Sequence, residues 1–470
     1  MNESKAVTKN KKLNVGSTIA YAIGSSGSNA SFYMINNYLM LFYTDIVGLA
    51  GTAISLIMLI ARIWDAINDP MMGMIEDRTK SKLGKFRPWL IIGPPFLALF
   101  NILTFTVFPL TGALKAVVCG ICYIGAGMAY TIIQVAINGL VNRITDDSND
   151  KVKVISIAQI ANQIGQIGVA AVLMPIILHF SGSDVANARG YFWGTFILCI
   201  VTVPMIWIAA WKCREVSVEQ IAVDIDANAP QEKKKISDSL KLLAKNDQLL
   251  IAALTTFISC VGIIGRFGLL SYYIIYVVGS YKLIAPVFSL MSFAQMVGNV
   301  PLPYLSKKFG KKNIYIWANI CSAITMVILF FLGQPSTAVV IALSALIGFF
   351  GASGSISYSF ICDCVEYGDW KYGIRDDGLA FSVMTFGVKL AQAIGGAVGA
   401  PLIFAVGYVA NEAQSAGTIT AMSAIINVIP AVLLVLAVIP VIFKYKLDDK
   451  MMDQITAELV ERRAGVSNEV

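Results

Sequence analysis

The chain has 470 residues, 57% hydrophobic and only 14% charged, with a mean hydropathy of +0.70. This lies outside the range of soluble globular domains and marks an integral membrane protein. The formal charge of +7 does not point to nucleic acid, because the lysines and arginines sit in a few short loops.

A helix needs about 20 apolar residues to cross a hydrocarbon core about 30 Å thick. Runs of that kind fall near 17–44, 51–75, 88–110, 115–141, 154–180 and 191–212, then near 246–277, 283–305, 314–334, 337–362, 379–408 and 418–444. They are continuous rather than alternating, which excludes a barrel. The reading is an all-α membrane protein with twelve spans: a six-helix bundle over 1–212, a linker over 213–245, a second bundle over 246–444 and a tail over 445–470. The polar start, with Lys5, Lys9, Lys11 and Lys12, carries no signal-peptide pattern. Loops on one side hold nearly all the basic residues, and those on the other hold only Lys115, Arg189 and Lys282. By the positive-inside rule both termini and the linker are expected in the cytoplasm.

Span one carries Ser25, Ser28, Asn29, Asn36 and Asn37. Span two opens RIWDAINDPMMGMIEDRTKSKLGKFRPW, in which Arg62, Asp65, Asn68 and Asp69 share one helical face. A charge turned to lipid costs about 3 kcal/mol on insertion scales, so this face is expected to look into the bundle or a wet cavity. Two carboxylates one turn apart repel unless a cation lies between them, a proton neutralises one, or Arg62 and another base compensate. Oxygen ligands for a hard monovalent cation are present in Asp65, Asp69 and the Asn68 amide, with the Thr131 hydroxyl of span four at comparable depth. A salt bridge that only locks helix packing is the plainer alternative.

Span four adds Gln134 and Asn138, and span five Gln159, Asn162, Gln163 and Gln166. Buried amides must find partners, and a hydrated cavity facing a polyhydroxylated solute satisfies many of them, as helix-to-helix hydrogen bonds also would. Arg266 in span seven either meets substrate or ties its helix to a neighbour. SKLGKFR after span two has a counterpart in SKKFGKK after span eight, but span eight offers only Gln295 and Asn299 where span two is charged. After span ten, Asp363, Glu366 and Arg375 lie in a loop of mixed charge, and Asp363 and Glu366 are candidates to pair with Arg78 and Arg87 as a cytoplasmic gate. Lys389 of span eleven needs an anion, and Asp65 and Asp69 across the half–half boundary are the nearest available; a snorkelling lysine is the alternative. The tail supports an amphipathic surface helix or a loose end. Eight cysteines and one histidine give neither a disulfide framework nor a zinc site, and His179 has no acid beside it to support catalysis.

RIWDAINDPMMGMIEDRTKSKLGKFRPW, YTDIVGL, Arg266 with YYIIY, DCVEYGDWKYGIRDDG and FSVMTFGVKLAQAIGG follow one another in the order seen in the glycoside-pentoside-hexuronide:cation symporters. The chain resembles this branch of the major facilitator superfamily, which includes the bacterial melibiose permease. The resemblance implies a transporter with two pseudo-symmetric bundles, working by alternating access as a monomer in a bacterial inner membrane, with no cofactor. It implies a site for sodium, lithium or a proton at Asp65, Asn68, Asp69 and Thr131, with Lys389 between cation and sugar. Asn29, Gln134, Asn138 and Gln159 match the sugar-binding positions, where acids, a tryptophan and an arginine stand in the melibiose permease. A cavity low in acids, with Lys389, Arg62 and Arg266, slightly favours a glucuronide; neutral glucosides or xylosides are the alternative, and a sodium-dependent lysolipid carrier a remoter one.

Overall fold

The computed structural model describes residues 14–79, 81, 83–145, 148–213, 245–332, 336–373 and 377–467. Among them every regular element is helical. The first half holds α1 (Val15–Leu41, prolonged by a π-helical turn Phe42–Ile46), α2 (Gly51–Asp77), α3 (Arg87–Thr104), α4 (Gly112–Ile144), α5 (Ser148–Ser181) and α6 (Ala188–Lys212). The second holds α7 (Asp247–Tyr272, with a π-helical turn Tyr273–Val277), α8 (Ile284–Asn299), α9 (Leu302–Phe309), α10 (Lys311–Phe331), α11 (Thr337–Gly351) and α12 (Gly354–Tyr372). It continues through α13 (Asp377–Ala405), α14 (Ala416–Ser423), α15 (Ile429–Phe443) and the tail helix α16 (Asp449–Ser467). The linker predicted over 213–245 lies almost wholly outside the described residues.

Helix starts follow local chemistry. Asn14, Asn187, Asn246 and Ser415 each turn a side-chain oxygen onto otherwise unpaired N–H groups of the first turn. The two basic turns echo in structure as well as sequence: Gly84 and Gly310 both take positive φ, 101° and 85°, a conformation glycine adopts without steric cost.

Every predicted span meets a helix or a broken helix, but among the described residues nine helical segments are long and apolar enough to cross a membrane, ten if one bent pair counts. That pair corrects the eighth span. It bends by 49° between Asn299 and Leu302, where Pro301 and Pro303 withhold N–H groups from the helical ladder. The tenth span also departs from expectation. Helix continues to Tyr372 and stops at Gly373 in the left-handed region, so Asp363, Glu366 and Asp369 are helical rather than in a loop. Gly368 lies inside this run but does not take positive φ, and the helix passes through it to Gly373.

Helices α1 to α6 pack on one another, as do α7 to α15, and the halves meet along α2 with α13, α5 with α8, and α1 with α7. Small residues permit close approach: a Cβ on Gly27 would press on Met205 of α6, and one on Gly395 on the Gly265 backbone. The tail helix packs on α12, with Met452, Ile455 and Leu459 buried in that cluster.

Candidate functional site

Helix α2 presents two faces. Ile63, Ile67, Met71 and Met74 are exposed on one, as lipid contact requires, while the polar residues turn inward. Arg62 donates from Nη1 to Oδ2 of Asp65 at 3.2 Å. One turn on, Oδ1 of Asp69 accepts from the Thr131 hydroxyl of α4 at 3.0 Å, and Oδ2 of Asp69 pairs with the ammonium of Lys389 from α13. Asn68, 2% exposed, has no hydrogen-bond partner for its Nδ2 among the described residues. Gly127 of α4 leaves room for Asp65, since a Cβ there would lie 3.1 Å from Oδ1. The four groups implied by the resemblance therefore lie along one strip between α2 and α4, and Lys389 joins them across the half–half boundary.

One cavity meets this strip at Arg62, and a second shares part of its wall. The central one, of about 470 Å³, is walled by both halves and reaches Arg62 and Tyr123. The other, of about 430 Å³, lies within the first half and is lined by Asn29, Gln134, Asn138 and Gln159, extending to Lys151 in the first turn of α5. Asn29, Gln159 and Asn162 line both. The amides in this pocket are linked to an aromatic: Nε2 of Gln134 donates to the Tyr130 hydroxyl at 2.5 Å, which donates to Oδ1 of Asn29 at 3.4 Å.

Arg266 is on the wall of neither of these cavities. It is 2% exposed inside the second half, donating to Oδ1 of Asn427 at 3.5 Å, while Ile263, Ile264 and Phe267 of the same helix face the central cavity. The substrate contact expected of it is replaced by the alternative, a tie between α7 and its neighbours. The predicted gate is not drawn together either. Asp363 is held by Lys311 of its own half at 2.5 and 2.7 Å, Arg87 donates to the Ala210 carbonyl of its own half at 2.6 Å, Arg78 is exposed and Glu366 half-buried. Arg375 lies outside the described residues.

Sequence reasoning missed the seal at the opposite face. Asp45, at the end of the first span, is buried and accepts from Thr44 at 2.6 Å, from Tyr276 at 2.5 Å and from Tyr408. Asn411 donates to its carbonyl at 2.6 Å, and Lys282 meets Asp184 at 2.9 Å nearby. Both tyrosines, Asn411 and Lys282 belong to the second half, so the halves are clasped at this face, and the cavities lie on the side that carries the termini. The signal was Asp45 within YTDIVGL, an acid at a span end with no base beside it in sequence. Gln295, noted in span eight but not assigned to the site, and Gln392, one turn beyond Lys389, line the central cavity as well.

The chain is 29% identical to an isoprimeverose transporter of Lactiplantibacillus pentosus, covering 95% of this chain and 91% of that one. It is 26% identical to a glucuronide carrier protein homolog of Escherichia coli, covering 97% of each. Among solved structures, a D-xylose-proton symporter superposes with a TM-score of 0.67 at 16% identity, over 92% of this chain and 98% of that one, a likeness of fold. A family model described as MFS/sugar transport protein matches residues 20–449. The chain therefore belongs to the MFS/sugar transport family, membrane-spanning carriers of sugars rather than enzymes.

Proposed function

We propose that the chain is a cation-coupled symporter that imports a glycoside by alternating access. The observation that carries this reading is the double engagement of Asp69, by the Thr131 hydroxyl within its own half and by the Lys389 ammonium from the other. With all groups ionised, Arg62 and Lys389 balance Asp65 and Asp69. A cation arriving between the carboxylates takes over the role of Lys389 at Asp69. Asp65, Asp69, the Asn68 amide oxygen and Thr131 then supply the oxygen ligands that a hard monovalent ion prefers. Released from Asp69, Lys389 is free to turn toward a sugar in the central cavity. Each ligand thereby raises the affinity for the other, by about 5–150-fold for coupling of ordinary size.

The clasp at Asp45 and the cavities on the opposite side support a state open toward the termini, which the positive-inside rule assigns to the cytoplasm. Transport then requires the clasp to part while the terminal ends of α2 and α13, and of α5 and α8, draw together. Asp363 and Glu366 against Arg78 and Arg87 are candidates for the contacts of that second state. The carrier needs no partner chain in this scheme.

The amide-lined pocket favours a neutral glycoside. A cavity low in acids with Lys389, Arg62 and Arg266 would favour a glucuronide, but Arg62 and Lys389 are engaged by carboxylates and Arg266 lines neither cavity. A hexuronide is the second reading, because Lys151 stands on the wall of the first-half pocket. The many amides speak against an acyl chain. Sodium and the proton are rivals as the coupling ion.

Calorimetric titration of the purified protein with glucosides, xylosides and glucuronides, with and without sodium and at two pH values, tests the reading. It predicts that at least one glycoside binds with an affinity that rises with sodium or with proton concentration. Glycoside binding indifferent to both would remove the coupling.

A further inference from the structure

Arg266 is a buried charge without a counter-charge. No carboxylate of a described residue pairs with it, and its two hydrogen bonds are long: 3.5 Å from Nη2 to Oδ1 of Asn427 and 3.9 Å from Nη1 to the sulfur of Met291. Its Nε has no partner among the described residues. A guanidinium keeps its proton inside a protein, and an uncompensated charge at membrane depth is costly, so the arrangement calls for an anion.

Two hydroxyls beside it lack partners as well. Gly262 of α7 faces Pro430 and Leu433 of α15, and Arg266 faces Asn427 in the π-helical turn Ala424–Val428 that precedes α15. The two segments therefore run antiparallel, which sets Ser423 opposite the stretch between Arg266 and Tyr273, two turns apart along α7. The turn that begins at Tyr273 packs on α14, which ends at Ser423. The hydroxyls of Tyr273 and Ser423 are both buried without a hydrogen-bond partner among the described residues, and the Tyr273 hydroxyl is within electrostatic reach of the guanidinium. Three groups able to donate, one of them charged, thus share a dry seam in the second half. A water would accept from them and leave the charge standing, whereas a monovalent anion accepts from them and neutralises it. Arg266, Tyr273 and Ser423 line neither cavity, which separates the seam from the path of a sugar.

We infer that the second half holds a small monovalent anion of the halide class, bound by Nε of Arg266 and the hydroxyls of Tyr273 and Ser423. The anion completes the tie between α7 and the α14–α15 segment. It is a structural ligand, neither cargo nor driving ion, and the inference stands apart from the glycoside reading.

The test is thermal unfolding of the full-length protein at constant sodium, with chloride or bromide exchanged for gluconate, an anion too large for the seam. Either halide is expected to raise the midpoint by a few degrees in a saturable manner, and gluconate to leave it unchanged. Arg266→Met is expected to abolish the halide response. Tyr273→Phe and Ser423→Ala, which remove a donor and keep most of the side-chain volume, are expected to raise the half-saturating halide concentration about tenfold; they decide the matter if the arginine variant does not fold. Anomalous scattering from crystals grown in bromide is expected to show a peak between Arg266 and Tyr273. No halide-specific stabilisation of the unaltered chain, a response that survives in both hydroxyl variants unchanged, or a bromide map without a peak at Arg266 would each overturn the site, and none of these outcomes bears on cation-coupled glycoside transport.

Discussion

Lys389 is the residue on which competing accounts separate most cleanly. An ammonium paired with Asp69 across the half–half boundary competes with any ion that needs the same carboxylate. Removing it as Lys389→Met is expected to tighten cation binding, read as a lower midpoint in a cation titration of thermal stability. The same change is expected to reduce the cation's effect on sugar affinity from about 5–150-fold toward none. A lysine that merely snorkels would leave both quantities unchanged. The spacing of Arg62, Asp65, Asn68 and Asp69 makes this strip legible in the sequence, because charges at intervals of three and four in a greasy segment can be tolerated only on one sheltered face. Arg266 was not legible in the same way. A lone base in an apolar helix obeys the same periodicity whether it faces a cavity or a neighbouring helix, and only packing distinguishes the two.

At the scale of the element, the clasp at the far end of the first span ties one acid of the first half to two tyrosines and an asparagine of the second. Hydrogen bonds to a charged group contribute about 1.5–3 kcal/mol each. Tyr408→Phe is therefore expected to shift the equilibrium between the two open states by about tenfold, and Asp45→Asn by at least as much, toward opening at the clasped face. Labelling of a cysteine introduced into the wall of the central cavity, by an impermeant reagent applied from the clasped face, measures this; no change in labelling rate would count against the clasp. The tail helix offers a second test. The indole N–H of Trp370, with the Gln454 amide as a lesser contributor, holds the Glu458 carboxyl below its ordinary value of 4.5. A depressed folded value means that this docking contribution is complete above 4.5 and fades as pH falls through the lower folded value. Proteolytic release of the tail is expected to be the same at pH 8 and pH 6 and to quicken only in acid, and Trp370→Phe to abolish that acid dependence. Helix α16 itself was half-legible: the periodicity of its apolar residues suggested an amphipathic helix, but not that α12 would extend to Tyr372 and supply the surface it covers.

For the whole molecule, hydropathy and the basic turns disclosed two related halves, since a span needs length and lack of charge and nothing else. The bend at Pro301 shows the limit of that signal, because apolar residues continue through a break that hydropathy does not register. The clasp was hidden for a different reason: it joins residues 45, 276, 408 and 411, and no local pattern states which loops of separate halves will meet. The paired carboxylates, the lysine that spans the boundary and the clasp on one side fit a single scheme, in which ion and sugar must both be aboard before the halves rock. Its most direct test is accumulation of a bound glycoside by proteoliposomes under an imposed sodium or proton gradient, with the unaltered chain and with Asp65→Asn/Asp69→Asn. The unaltered chain is expected to concentrate the sugar above its external level, and the double variant to bring it no further than equilibrium. Concentrative uptake by the double variant would contradict the assignment of these two carboxylates as the seat of the driving ion.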